Sequence, residues 1–395
     1  MAGIRKHIVV TQSVRGVVLA LSAPAMADMQ LLGDEDMADI SGQSGITLEM
    51  ELGMTADRLT YFDDDRGIYL EDFRVGSASQ PGESAAHVIR VDITDEASLN
   101  LDYLVEDRRI EFGDIRLAGA PGIGMGGIFF DHSLQGNLRI SPGGAFGSSG
   151  YTFDTAYTMT GGRLGYRTNG NEVFLDDITL SVEALGVTLD VVGSTLELNA
   201  PRVSGSYDVG AIRYSNNPAN HGNTYDVATG QALPSYGGLS GSFDLSSKTG
   251  ITAGGREGEG FRLDNETTIN SASFIYHDDD HALAFRDITG QYRLNDLRVD
   301  VTADRYGRDA LGFTLGSLNG KFNIGRIEMG ASGQSIGEVN VSFMLQDHVY
   351  NGRSYTNAVY LQGGGHPDAG SQGLRLSTEW SLQLADLSYT EDGNR

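Results

Sequence analysis

The sequence predicts an all-β chain, an elongated repeat of antiparallel strand pairs that is sandwich-like or β-solenoid-like, with a short N-terminal cap helix. Three observations carry that expectation. The first is a seventeen-residue frame at 45–61, GITLEMELGMTADRLTY, which returns without insertion or deletion at 150–166, 260–276 and 373–389. Each copy sets apolar residues one, three, nine and fourteen positions after its glycine and closes on a tyrosine: Tyr61, Tyr166, Tyr276 or Tyr389. The copies start 105, 110 and 113 residues apart, which marks a repeating structural unit. The second observation is alternation within the frame. Ile46, Leu48, Met50 and Leu52 share one face and Thr47, Glu49 and Glu51 the other, as in a half-buried strand. The third is composition: 54 glycines and 39% hydrophobic residues, with few helix-favouring runs, suit a sheet protein rich in turns.

Taken in order, residues 1–27 read as a secretory signal. Arg5 and Lys6 give a positive start, 16–21 is apolar, and Ala25-Met26-Ala27 is an A-x-A cleavage site. The formal charge is −25, and loss of three basic residues with that segment makes it −28. Such a charge argues against nucleic acid and anionic lipid as partners. The chain has no cysteine, so stability comes from the core and sheet hydrogen bonds, and lipid attachment through an N-terminal cysteine is excluded. No later stretch is apolar enough for a transmembrane helix.

Residues 28–44 form the N-terminal cap segment. Leu31, Leu32, Met37 and Ile40 have helical spacing, and Asp34, Glu35 and Asp36 suit a first turn. The run at 31–52, LLGDEDMADISGQSGITLEMEL, resembles the N-terminal motif of secreted bacterial FilA-like pilus-assembly proteins, a family of otherwise unknown function. Leu32, Asp36, Ile40, Gly42, Gln43 and Gly45 carry the likeness. The resemblance implies export and a link to surface filaments or attachment, and supplies no catalytic residue.

Three β repeat units follow, at 45–149, 150–259 and 260–372, and 373–395 is a C-terminal half-unit that completes the third unit's sheet. Beyond each of the first three tyrosines, a polar turn leads to a second strand that ends at an aspartate: Asp72, Asp177 or Asp287. Arg90-Val91-Asp92-Ile93-Thr94 matches Arg298-Val299-Asp300-Val301-Thr302, and an apolar-Gly-x-Ile element recurs at 112–115, 209–212 and 324–327. Ordinary strand lengths then give about six strands per unit. Glycine-rich or polar connections run at 118–127, 142–150, 215–238, 247–260 and 346–373, and the longest two exceed the usual loop and read as functional or mobile. A period of about 108 residues favours a continuous sheet or sandwich-like stack over a regular solenoid.

Candidate chemistry is sparse. Asp63, Asp64 and Asp65, and Asp278, Asp279 and Asp280, occupy the same turn in units one and three, where hard oxygen ligands suit calcium. Unit two has Asn169-Gly170 there and the last copy Glu391-Asp392-Gly393, so the position asks for turn chemistry in every copy and charge only in some. Calcium is the only cofactor the sequence offers, and the turn reading outranks it. His277 and His281 flank the third acidic turn at a spacing open to a transition metal, but have no counterparts in the other units. The glycines of 122–127 lack the strand-then-helix context of a phosphate loop and read as a packed or flexible loop. No G-x-S-x-G, H-E-x-x-H or cysteine nucleophile is present, and spacing picks no pair from 53 carboxylates. The block tyrosines are expected to pack on the sheet and send their hydroxyls to solvent or backbone.

The expectation is an exported, non-enzymatic protein at the surface, in the outer membrane or in the periplasm of a Gram-negative bacterium. It would be structural or pilus-associated, with envelope or filament proteins or its own copies as partners. One alternative is an outer-membrane β-barrel channel or transporter. Charged strands, a single tryptophan and a polar end at 391–395 weigh against it. A second alternative is a polysaccharide-binding or polysaccharide-degrading envelope protein.

Overall fold

The structure, a computed structural model, describes residues 8–10, 45–63, 66–94, 98–119, 122–144, 150–253, 260–303, 309–330, 334–335, 337–346, 348–350, 353–355, 357–363, 374–379 and 382–390. The expected cap helix at 28–44 lies outside them. The described residues form almost wholly antiparallel β-structure in one large open sheet. No helix among them is long and apolar enough to cross a membrane.

β1 (Ile8–Val10) precedes the units. In unit one, β2 (Ile46–Leu52) and β3 (Met54–Asp63) carry the frame, and β1 lies along β3 with Val9 opposite Thr60. β4 (Arg66–Ser77) and β5 (Ala85–Ile93) return antiparallel to them, β6 (Leu99–Phe112) and β7 (Asp114–Leu117) follow, and β8 (Gly127–Pro142) ends the unit. Unit two repeats this with four unbroken strands: β9 (Tyr151–Thr168), β10 (Asn171–Val192), β11 (Thr195–Ser215) and β12 (Gly238–Ala253). Unit three has β13 (Phe261–Asp278), β14 (His281–Ala303), β15 (Asp309–Met329) and the short β16 (Gln334–Ser335). Its fourth strand is split into β17 (Glu338–Gln346) and β20 (Asn357–Gly363) by the hairpin of β18 (His348–Tyr350) and β19 (Arg353–Tyr355). The last copy of the frame forms β21 (Leu374–Glu379) and β22 (Leu382–Thr390), paired to β20 and β17.

Unit two is therefore a meander of four long strands, not about six short ones; units one and three follow the same path with interrupted strands, and the final copy adds β21 and β22 along it. The reason is length: the strands from β9 to β15 run 16 to 23 residues. The aspartates expected to end second strands do not end them. Asp72, Asp177 and Asp287 sit inside β4, β10 and β14 with φ of 52°, 54° and 54°. Aspartate tolerates the left-handed region, so the chain passes through it and continues, with a register shift against the preceding strand near Asp177 and Asp287. The glycine of the apolar-Gly-x-Ile element lies across from it. A Cβ on Gly113, Gly210 or Gly325 would come within 2.8, 3.2 or 3.0 Å of that aspartate's Cβ. Two expected connections also change: 247–253 continues β12, and 346–373 contains β18, β19 and β20.

Register keeps two faces apart across the sheet. Leu48, Ile89, Tyr103, Gly136, Tyr157, Val182, Gly205, Phe243 and Ala272 stand opposite one another from β2 to β13. The neighbouring row, on the other face, reads Thr47, Arg90, Asp102, Asn137, Ala156, Glu183, Ser204, Asp244 and Ser271. A one-residue slip would exchange these faces, so the alternation fixes the register. On the apolar face, rings fill the gaps left by glycines on adjacent strands: Phe243 beside Gly205, Tyr207 beside Gly241, and Phe322 beside Gly290. The sheet also coils onto itself. Leu117, Met125 and Val301 form a buried cluster with Ile68, Ile115 and Leu311 against it, which packs the upper end of unit one on the lower end of unit three. Upper here means the end where the first two strands of a unit are joined.

Candidate functional site

The upper hairpins hold the acidic candidates. Asp63 pairs with Arg66, Thr168 with Asn171 and Asp278 with His281, so each turn has two residues at its tip. Asn169 and Gly170 have φ of 50° and 76°, and Asp279 takes 48°, which are turn conformations that these residues tolerate. Asp278, Asp279 and Asp280 are exposed, while Asp64 and Asp65 lie outside the described residues. His277 faces Gly238 and Ala282 across its neighbouring strands, and His281 closes the turn. Among the described residues, no three His, Cys, Asp or Glu side chains gather to hold a metal ion.

The glycines of 122–127 close a packed corner. The carboxylate of Asp114 accepts from Gly126 N–H at 2.9 Å, and Ile115 and the loop exchange backbone bonds at 2.7 and 3.1 Å. Tyr166 donates its hydroxyl to the Met125 carbonyl at 2.5 Å, and Tyr276 does the same to Tyr236 at 2.9 Å. The glycines that follow, Gly126 and Gly237, both have positive φ, 98° and 82°. Two of the block tyrosines thus bind backbone groups at equivalent corners.

The densest constellation lies on the polar face at the upper end of β6 and β8–β11, and the sequence did not reveal it. Arg109 donates twice to the Asp131 carboxylate, at 2.6 and 2.7 Å, and Arg163 reaches the same carboxylate at 2.9 Å. Arg167 bridges Glu111 and Glu172, the latter at 2.5 Å. The guanidinium carbons of Arg109 and Arg167 lie 5.1 and 4.3 Å from the centre of the Phe129 ring. Burial lowers the Arg109 pKa, but bonding to Asp131 and the nearby Glu111 and Glu172 outweigh it and leave the pKa raised.

Above this cluster sits the connection at 216–237. Gly222 N–H donates to both Glu172 oxygens at 3.0 and 3.2 Å, its carbonyl accepts from Arg163 at 2.5 Å, and Leu233 packs with Phe129 and Phe174. Within the loop, buried Asn220 binds Asp226 at 2.9 Å and accepts from Val227 at 3.0 Å. Arg213 ties its far side to Asp176 at 2.7 Å and to the Leu233 carbonyl at 3.0 Å. Three guanidinium groups meet three carboxylates, so charge balances. The arrangement clamps a loop.

Two other places have distinct chemistry. A groove of about 800 Å³ crosses the polar face from β2 to β10, lined by Glu49, Arg90, Asp102, Gln135 and Glu183. On the apolar face, His87 and His132 are buried near Arg108, and among the described residues His87 Nε2, Arg108 Nε and His132 Nδ1 have no hydrogen-bond partner. Burial, then Arg108, drives the His132 pKa down to about 4, with His87 adding to the effect against an opposing pull from Asp131.

A family of unknown function, DUF6160, matches residues 5–105. The match spans the N-terminal segment, the first two strand positions of unit one and half of β6. No curated protein and no solved structure matches the chain. The sequence signal for the clamp was weak, because Arg109, Asp131, Arg163 and Glu172 are distributed over four strands and meet only through register. A row of charged residues at polar-face positions beside the long 215–238 connection was the available hint.

Proposed function

We propose that this is an exported, non-enzymatic protein of a bacterial envelope or cell surface, with a structural or filament-associated role in attachment or assembly. The observation that carries the reading is the apolar face. Ile46, Leu48, Tyr151, Leu164, Val173, Val191, Phe261, Phe274 and Met329 all lie on it and are all exposed. An exposed apolar area of that extent marks a surface that works by contact. The export pattern at 1–27 and the FilA-like resemblance at 31–52 support the same reading. Envelope or filament proteins, or further copies of the chain, suit a largely apolar face on an acidic molecule, whereas nucleic acid does not.

A second reading, insertion in the outer membrane, is favoured by strand geometry. Strands of 16 to 23 residues with one apolar and one polar face exceed the length needed to cross a bilayer. Cell fractionation separates the two. Release of the mature protein with sheared surface material supports the first reading. Retention in the outer membrane until detergent is added overturns it in favour of the second.

A further inference from the structure

The patches that join unit one to unit three recur in unit two, where they are exposed. In unit one the upper patch is Ile68 opposite Leu117, with Met125 beside them. Strand pairing identifies its equivalent in unit two as Val173 opposite Tyr214. Tyr236 stands in the place of Met125, since each gives its carbonyl to a block tyrosine. The lower patch of unit three is Val301 opposite Leu311, and in unit two Val191 opposite Leu196. Leu117, Met125 and Val301 are 2%, 4% and 6% exposed, whereas Tyr214, Tyr236 and Val191 are 37%, 53% and 74% exposed.

We infer that unit two of one chain docks face to face on unit two of a second copy, each upper patch seated on the partner's lower patch. The intramolecular joint already shows upper and lower patches of this frame fitting one another. A two-fold axis through the middle of unit two makes the same joint twice. Strand dimensions give the unit a face of roughly 1,000 Å², above the ~800 Å² per partner of a stable interface. The acidic charge of the chain opposes contact elsewhere and leaves this largely apolar face as the place where copies approach, so added salt favours the pair. An acyl chain would need an apolar surface but not matched patches at opposite ends of it. The inference rests on the proposed reading only in treating the apolar face as a working surface. Fractionation tests location and the experiment below tests contact, so either can fail alone.

The test is the mass of the mature protein in sedimentation equilibrium, with and without added salt. A dimer is expected, and Val191→Glu should halve the mass while the far-UV dichroism keeps its β-sheet form. The chain has no cysteine, so Val173→Cys and Val191→Cys can be made in separate chains and mixed under oxidation. The mixture should cross-link to dimer, while each variant alone should not, because the two positions are roughly 60 Å apart along the strand. A monomeric wild type, a monomer carrying extractable lipid, or a mixture that cross-links no better than the single variants would overturn the inference.

Discussion

At the scale of single residues, two groups sit in states their ordinary preferences disfavour. Asp177 holds φ of 54° inside β10, facing Gly210. Glycine adopts that conformation freely, while a β-branched residue is strained there by about 1–2 kcal/mol. Asp177→Gly should therefore leave the chemical-denaturation midpoint nearly unchanged, and Asp177→Val should lower stability by about that amount. Equal midpoints for the two variants would show that the bulge is relaxed. His132 makes a prediction in pH. Its folded pKa of about 4 is below the ordinary histidine value of about 6.5, so between these the unfolded chain holds more protons. The stability it contributes is present in full above about pH 6.5 and drains as pH falls towards 4, by up to about 3 kcal/mol. His87, lowered by burial and then Arg108, acts in the same direction. His132→Gln should flatten the decline in unfolding free energy between pH 7 and pH 4.5, and parallel declines in the two proteins would refute the assignment.

At the scale of elements, the clamp and its loop form the unit to test. Glu172 is about 1% exposed and holds both Arg167 and the Gly222 amide. Removing the Glu172 charge leaves Arg167 with Glu111 alone and weakens the acceptor of the Gly222 amide, at a cost of about 1–3 kcal/mol. Glu172→Gln should lower stability by that order and speed amide exchange across 216–237 before it does so in β9 and β10. Uniform exchange throughout the chain would mean that the loop and sheet open together. Much of this level was legible in the sequence. The frame predicted the strands that carry it and the polar turns after Tyr166 and Tyr276, because alternation and turn chemistry are local properties. Strand number was not legible. Asp72, Asp177 and Asp287 look like strand ends, and only backbone geometry reveals that the chain passes through them in a left-handed conformation and continues. The clamp was hidden for the opposite reason: its residues are distant in sequence and converge only once four strands are in register.

At the scale of the whole molecule, hydrogen bonds run from strand to neighbouring strand, so the sheet's continuity does not depend on the joint between units one and three. That joint depends on a small apolar cluster, Leu117, Met125 and Val301 with Ile68, Ile115 and Leu311 around it. Burying six such side chains contributes at most a few kcal/mol each, and an unpaired carboxylate forced into the cluster costs several. The sheet can avoid that cost by uncoiling, since no strand pairing need break. Val301→Glu should therefore increase the radius of gyration in small-angle X-ray scattering while the far-UV dichroism keeps its β-sheet form. Val191→Glu, at the equivalent position of unit two, should leave the curvature within a chain unchanged and act on association instead. If Val301→Glu unfolds the protein cooperatively, the joint is part of the folding core, and the units cannot be treated as a sheet that coils after it forms.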